Sequence, residues 1–333
     1  MGLNELWYSL IGFFFAGFFF FEGFAFGVGM LMQWLGHNEE EKNMIIHSTE
    51  PLWGANEVWL LAASGAIFAV FPGWYAVLFN SYGGIFSLIL ASLLIRGVAI
   101  SFWHRLHQPA WRKTWNWLLG MTSLLIPFLL AVVLAGCLVG VPINAEKEYA
   151  GSLFDLMSLP AMFYGLDLVV FFLYHGAVFL AIKLQGEMRR QARQAARRTG
   201  LLSLATAVAV GVVAAITTNM FTSSVAIALT LAGALALLLS YICVCKRLSR
   251  LAFVLNEVSI IAIIVALFTA LFPRVMVSTV NEAFSLTLYN ISASSHILKV
   301  MTIAAMAMVP VVILYIVWAC SVFKRRLTGG PGL

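Results

Sequence analysis

The sequence predicts an all-α, polytopic membrane protein with about nine transmembrane helices. Of its residues, 62% are hydrophobic and only 10% are charged, whereas a soluble domain carries about 25% charged residues. Apolar runs of about 20 residues recur along the whole chain, and each is long enough to cross a hydrocarbon core of about 30 Å. Since no long polar stretch separates these runs, we expect residues 1–333 to form a single membrane domain.

The apolar runs give the expected positions of the helices. We predict spans at 8–32, 57–79, 84–103, 117–140, 158–183, 202–221, 224–244, 251–273 and 296–322. The division between the sixth and seventh spans rests on the polar residues 217–224, which predict a short turn.

The distribution of basic residues predicts how the chain is oriented. If the segments 33–56, 104–116, 184–201, 245–250 and the tail from 323 lie on one side of the membrane, that side holds sixteen of the 20 Lys and Arg residues. This count includes Lys183 at the end of a span. Three fall on the other side. The positive-inside rule then places the N-terminus outside and the C-terminus in the cytoplasm. The net charge of +6 does not indicate nucleic-acid binding, because the charges are spread over short loops.

The densest basic segment runs from Lys183 to Arg198. One interpretation is a helix that extends beyond the membrane and enforces the orientation. The other is an electrostatic site for anionic lipid or for a partner.

Four charged residues fall within the cytoplasmic halves of predicted spans: Glu22, Glu57, Arg96 and Glu257. A charge at the centre of a span costs about 2.5–3.5 kcal/mol on insertion scales, so each needs a partner or a function. Two hypotheses follow. The four residues form a proton or ion path that begins at the cytoplasmic side, or Arg96 forms a structural ion pair with Glu22 or Glu57. No residue is assigned a definite catalytic role.

Small residues surround Glu22, namely Gly23, Ala25, Gly27 and Gly29. Their spacing predicts one side of the first helix that a neighbouring backbone can approach closely.

His175 is the one histidine that the sequence places near the middle of a span. It suits a haem ligand, a proton relay or a hydrogen-bonded packing residue. A self-contained haem site would need a second axial ligand at matching depth, and no other histidine provides one. Cys243 and Cys245 have neither the redox nor the zinc spacing. We therefore expect this chain to bind no haem and no metal by itself.

Several stretches together resemble subunit II of cytochrome bd-type quinol oxidases. They are FFFFEGFAFGVGML, EPLWGANEVWLLAASGAIFAVFP, LIRGVAISF, WRKTWNW, GVPIN, FPRVMVS and VPVVILYIVWA, and they occur in the order typical of that family. The resemblance covers nearly the whole chain, and it implies nine spans with the N-terminus outside.

The resemblance implies a function in the bacterial cytoplasmic (inner) membrane. Oxidases of this kind oxidise quinol and reduce oxygen to water. Their haem b and haem d groups lie in a larger subunit I, which subunit II stabilises. Subunit II would also supply protons or hold a structural quinone, next to membrane lipids and a small accessory subunit. The residues that match the motifs imply a polar cluster of Glu22, Glu57 and Arg96.

At four positions the chain is neutral where the family usually has an acid: Ala25, Gly54, Ser101 and Asn116. Proton routes through those acids therefore cannot be transferred to this chain. The alternative from another class is a secondary transporter or channel for a small solute. Pro127 and Pro310 interrupt spans, but no matching pair of broken helices supports that alternative.

Overall fold

A computed structural model describes residues 2–49, 56–103, 105–106 and 108–322, with the side chains of Ile100, Leu153 and residues 315–322 left aside. The described chain is largely helical. Its α-helices are α1 (Leu3–Leu35), α2 (Glu39–Thr49), α3 (Val58–Val70), α4 (Pro72–Trp103), α5 (Pro109–Val139), α6 (Leu153–Leu156), α7 (Leu159–Lys183), α8 (Gly186–Thr217), α9 (Ser224–Cys245), α10 (Ser249–Leu271) and α11 (Ser295–Val322).

Eight helices in the described part of the chain are long and apolar enough to cross a membrane: α1, α4, α5 and α7 to α11. Helix α3 is apolar too, but its 13 residues span only about 20 Å at 1.5 Å per residue. The structure thus agrees with a polytopic membrane protein. Nine crossings and the orientation of the termini stay predictions.

The boundary between the second and third predicted spans is wrong. The sequence placed it at residues 80–83, whereas α3 ends at Val70 and α4 begins at Pro72. Phe71, between them, has φ −125° and ψ 65°, because a residue before proline is pushed out of the helical region. Proline then suits the first turn of the next helix, where its missing N–H is not needed.

The predicted loop 33–56 contains α2. Its start is a capping box. The side chain of Asn38 accepts from the N–H of Glu41 at 2.8 Å, and the Glu41 carboxylate accepts from the N–H of His37 at 2.8 Å. The NxxE pattern was visible in the sequence. The basic residues 189–198 lie in the first turns of α8, so the helix does extend beyond the predicted span 202–221.

Helix α1 lies at the centre of the bundle, in contact with α2, α3, α5, α7 and α10. Helix α4 packs mainly on α5, α8 on α7, and α9 on α10. The polar residues 217–224 form the predicted break, with a 3₁₀ turn at Met220–Thr222. These helices place the middle of α1 where the charge of Glu22 must find its partner within the protein.

The crossing of α1 and α7 is tight because two glycines face each other. A Cβ at Gly27 would lie 2.8 Å from the Cα of Gly176, and a Cβ at Gly176 would lie 2.6 Å from the Cα of Gly27. Gly29, in contrast, faces Ser123 of α5. The predicted small-residue side thus holds for Gly23 and Gly27, which both face α7, but not for Gly29, because a rotation of about 100° per residue turns a residue two positions on to nearly the opposite side of the helix.

The loops beside the N-terminal end of α1 form a hydrogen-bonded cap. Val141 donates to Val277 and Val277 donates to Cys137, both at 3.0 Å. Beyond them, β1 (Arg274–Met276) pairs antiparallel with β2 (Leu286–Thr287). The hydroxyl of Tyr8 on α1 donates to Phe268 O of α10 at 2.7 Å. The cap thus joins the ends of α1, α5 and α10.

We expect Gly176→Ala to destabilise the protein by about 1–3 kcal/mol, because the added methyl group would meet backbone atoms that cannot move aside. The measurement is the thermal midpoint of the purified protein in mild detergent. The matched control is Gly84→Ala on α4, where no atom lies within 4 Å of the added Cβ. Equal midpoints for the two variants would show that the crossing is not as close as described.

Candidate functional site

The deepest charged groups, Glu22 of α1 and Arg96 of α4, form an ion pair. Glu22 is fully buried and Arg96 is 2% exposed. The Nε of Arg96 donates to the hydroxyl of Ser123 on α5 at 3.2 Å, and its guanidinium lies 4.8 Å from the centre of the Phe26 ring. The second Glu22 oxygen accepts from the side-chain amide of Asn56 at 2.9 Å. We name Glu22, Asn56, Arg96 and Ser123 the Glu22 cluster.

Glu57 lies at the edge of this cluster. It is the residue before α3 and is partly buried. The charges of Glu22 and Arg96 act on its carboxyl group, yet its Oε1 forms no hydrogen bond in the described chain. Of the two ion pairs that the sequence allowed for Arg96, the structure forms the one with Glu22.

Asn56 was missed in the sequence because it looked like an ordinary residue at the start of a span. Its side chain also donates to Phe21 O of α1 at 2.8 Å. The signal was its place directly before Glu57 in the stretch GANEVWL.

Glu257 belongs to a separate group on α7 and α10. Its Oε1 lies 3.2 Å from Nε2 of His175, and Nδ1 of His175 lies 3.4 Å from the side-chain nitrogen of Asn256. His175 and Asn256 are fully buried, and Glu257 is 5% exposed. We name these three residues the His175 cluster. Despite this approach, Nε2 of His175, both carboxylate oxygens of Glu257 and Oδ1 of Asn256 form no hydrogen bond in the described chain.

The structure therefore divides the four predicted site residues. Glu22, Glu57 and Arg96 come together, whereas Glu257 lies beside His175. Phe24 of α1 lies beside His175, with ring centres 6.1 Å apart. Aromatic side chains thus line the His175 cluster on the side of α1.

The surroundings of His175 do not fit a haem. The Phe253 ring stacks on the imidazole at 4.8 Å and 15°, and both ring nitrogens face polar side chains. An axial ligand needs one ring nitrogen directed at the iron and a flat cavity beside it. Among the described residues, no group of three or more His, Cys, Asp or Glu side chains is placed to hold a metal ion.

A small cavity of about 10 Å³ lies beside Arg96. It is bounded by α1, α2 and α5, and Ala25 is one of its walls. This volume is close to the space that one water molecule needs. Ala25 is one of the positions where the sequence lacks an expected acid, so this chain has free volume there in place of a carboxylate.

The other neutral positions are dispersed. Ser101 is exposed on α4, and the backbone oxygen of Asn116 accepts from Gln33 at 3.2 Å. Gly54 lies outside the described residues. Ala25 is thus the one described position of the set that borders the Glu22 cluster.

A larger, mostly apolar cavity of about 190 Å³ lies between α7, α8, α9 and α10. Asp167 and Tyr164 line it, and Asp167 accepts from the hydroxyl of Thr206 at 2.6 Å. Its walls fit an apolar group that carries a small polar head.

We expect Glu22→Gln to destabilise the protein more than Arg96→Gln. Glutamine at 22 leaves a buried guanidinium that cannot lose its charge, and such broken pairs cost about 3–5 kcal/mol. After Arg96→Gln, Glu22 can bind a proton and become neutral, so about 1–3 kcal/mol is expected. Thermal midpoints in detergent measure both.

The matched control is Glu282→Gln, which breaks the ion pair of Glu282 with Arg274 at 3.2 Å. Because Glu282 is 83% exposed, its effect should stay below about 1 kcal/mol. A smaller loss for Glu22→Gln than for Arg96→Gln would contradict the assignment of the pair as fully buried.

Residues 3–323 match the family model of cytochrome bd terminal oxidase subunit II. The chain is 35% identical to cytochrome bd ubiquinol oxidase subunit 2 of Bacillus subtilis, over 98% of this chain and 97% of that protein. It is 29% identical to cytochrome bd-I ubiquinol oxidase subunit 2 of Escherichia coli K12, over 98% and 95%.

The fold also has a solved counterpart, the bd oxidase from Geobacillus thermodenitrificans. The TM-score is 0.76 at 20% identity, and the match covers 98% of this chain and all of the other. With a family model over nearly its whole length, the chain belongs to the cytochrome bd terminal oxidase subunit II family.

Proposed function

We propose that this chain is the haem-free subunit of a quinol oxidase, holds the larger haem-bearing subunit I in its fold, and supplies protons through the Glu22 cluster. Membership of the family makes it a subunit of a bd-type terminal oxidase. The relatives from Bacillus subtilis and Escherichia coli are named as ubiquinol oxidase subunits. The alternative of a secondary transporter or channel has no support from these comparisons.

The observation that carries the proton-supply proposal is the buried ion pair with a cavity at its side. A carboxylate such as Glu22 can accept a proton, while Arg96 keeps its charge and stabilises the ionised form. Glu57 offers a partly buried carboxylate next to the pair. The cavity beside Arg96 has room for about one water molecule. A proton would pass between the carboxyl groups of Glu57 and Glu22, neither of which lines that cavity.

The haems belong to the partner in this proposal. They supply electron transfer and oxygen reduction there, and the surroundings of His175 in this chain support that division. We assign His175, Asn256 and Glu257 to joining α7 and α10. The three side chains share hydrogen-bonding atoms within an apolar region, and buried polar groups of this kind fix how helices pair.

The apolar cavity between α7 and α10 is our proposed place for a structural quinone. Tyr164 and Asp167 would hold the polar ring, and the apolar side chains of α8, α9 and α10 would hold the tail. A quinone bound there would supply packing and no redox step.

We further propose nine crossings, with the N-terminus outside and the C-terminus in the cytoplasm of a bacterium. The short helix α3 accounts for the ninth crossing. Reporter fusions to the loops after α5 and after α7 test this orientation. Active cytoplasmic reporter is expected only after α7, and the reverse pattern would overturn the topology.

The first experiment is purification of this chain from its native membrane in mild detergent, followed by a reduced-minus-oxidised spectrum. A larger co-purifying subunit with haem b and haem d bands is expected. A colourless preparation without a second large subunit would overturn the oxidase function and call for transport assays in liposomes.

Glu22→Gln tests the proton supply within that complex. We expect quinol oxidase turnover per haem to fall by at least tenfold, which corresponds to about 1.4 kcal/mol in the activation barrier. Normalisation to haem content separates turnover from assembly, and Glu282→Gln is the control. Unchanged turnover per haem would overturn the proton supply through Glu22, whatever the yield of the complex.

His175→Gln tests the haem assignment. Glutamine keeps hydrogen-bonding atoms near Glu257 but cannot ligate haem iron as imidazole does. We expect the haem b and haem d bands, relative to protein, to be the same as in the unaltered complex. Loss of one haem band at normal assembly would assign a ligand to this chain.

A further inference from the structure

Arginine side chains from two distant parts of the chain gather where α8 begins. Arg189, Arg193 and Arg197 are four residues apart on the first turns of α8 and so lie along one face. Arg247, in the turn between α9 and α10, lies close enough to act on the charge of Arg193, as Arg189 and Arg197 do. We name these four residues the arginine patch.

The patch has no acidic partner in the described chain. Between residues 183 and 250, Glu187 is the one acid, and it lies 3.9 Å from Arg190 on the exposed side of α8. Two members contact backbone: Nε of Arg189 donates to Ala181 O at 3.1 Å, and Nη2 of Arg197 donates to Cys245 O at 2.9 Å. Nε of Arg193 is buried and makes no hydrogen bond with the described residues. The repulsion among the four charges is therefore uncompensated within these residues.

The backbone at Arg247 is a second, independent observation. Its φ is 64°, a left-handed conformation that favours glycine and is unfavourable for residues with a Cβ. The turn is closed by Leu248, whose N–H donates to Cys243 O at 2.8 Å. Glycine would suit this turn better, so the conformation does not explain arginine at 247.

Exposed apolar residues adjoin the patch. Leu201 and Leu202 follow it on α8, and Leu248 and Leu251 flank the turn; each is at least half exposed. The 32 residues of α8 extend about 48 Å, which exceeds a hydrocarbon core of about 30 Å by roughly twelve residues. The arginines therefore fall at the level of lipid headgroups, with the leucines at the level of the acyl chains.

We propose that the arginine patch binds the phosphate of an anionic phospholipid, whose acyl chains lie along these leucines. Guanidinium groups bind phosphate through paired, charge-assisted hydrogen bonds, and basic pockets between membrane helices are suited to anionic headgroups. A soluble anion would not need the leucines, and a zwitterionic lipid would leave the four positive charges uncompensated. The proposal does not depend on the oxidase function.

The test is native mass spectrometry of the purified complex after delipidation and addition of phosphatidylglycerol or phosphatidylcholine in mild detergent. We expect retention of phosphatidylglycerol only. Arg193→Gln with Arg247→Gln should weaken it about thirtyfold, since each basic residue at an anionic surface contributes about a fivefold factor in affinity. The matched control is Arg105→Gln with Lys113→Gln, which removes two charges from the segment between α4 and the first turns of α5 and should leave retention unchanged.

The double variant Arg193→Lys with Arg247→Lys is the control for a folding defect. It keeps both charges and should retain most of the lipid binding. Equal retention by the glutamine variant and the unaltered complex would overturn the proposal. So would equal losses in the glutamine variant and the control. Displacement of the lipid by millimolar inorganic phosphate would assign a soluble anion instead, and loss of a co-purifying protein only in the glutamine variant would assign a protein partner.

Discussion

The ion pair between Glu22 and Arg96 is the interaction on which the arrangement of the first five helices depends. Neither charge can reach water from its depth, so each requires the other, and the remaining polar atoms require Asn56 and Ser123. Those four residues belong to α1, the segment before α3, α4 and α5. A peripheral helix such as α4 is thereby tied to the central one through a single buried site.

Helix α1 can serve several neighbours because its small residues are distributed around it. Gly27 admits the backbone of α7, whereas Gly29 admits Ser123 of α5. Close approach on one side and the buried carboxylate on another thus occur within two helical turns. Close helix contacts at Gly27 and Gly29 therefore lie near the candidate proton site, and they limit how far the carboxylate of Glu22 can move.

In our proposal, the Glu22 cluster transfers protons and the His175 cluster stabilises the packing of two helices. In the Glu22 cluster a permanent positive charge, which borders a small cavity, is paired with a titratable acid, a combination suited to binding and releasing a proton. In the His175 cluster the imidazole is stacked on Phe253, and its two nitrogens lie 3.2 Å from Glu257 and 3.4 Å from Asn256 of α10, a combination suited to joining helices. At the surface, the arginine patch adds a third polar site that faces lipid.

The sequence by itself determined the membrane class, most of the spans, the turn at residues 217–224 and the family, because apolar runs and ordered motifs are local properties of the chain. It also identified Glu22, Glu57, Arg96 and Glu257 as buried charges that need partners. Pro72 is a local signal of the break at Phe71, and the NxxE capping box is a local signal of the helix at 39–49. The predicted boundaries missed both because they followed hydropathy alone. Only the tertiary structure decided that Arg96 pairs with Glu22, that Glu257 pairs with His175, and that Arg247 joins the arginines of α8. Partners that lie 74 or 82 residues apart are set by which helices pack together, and that depends on contacts that no local pattern records.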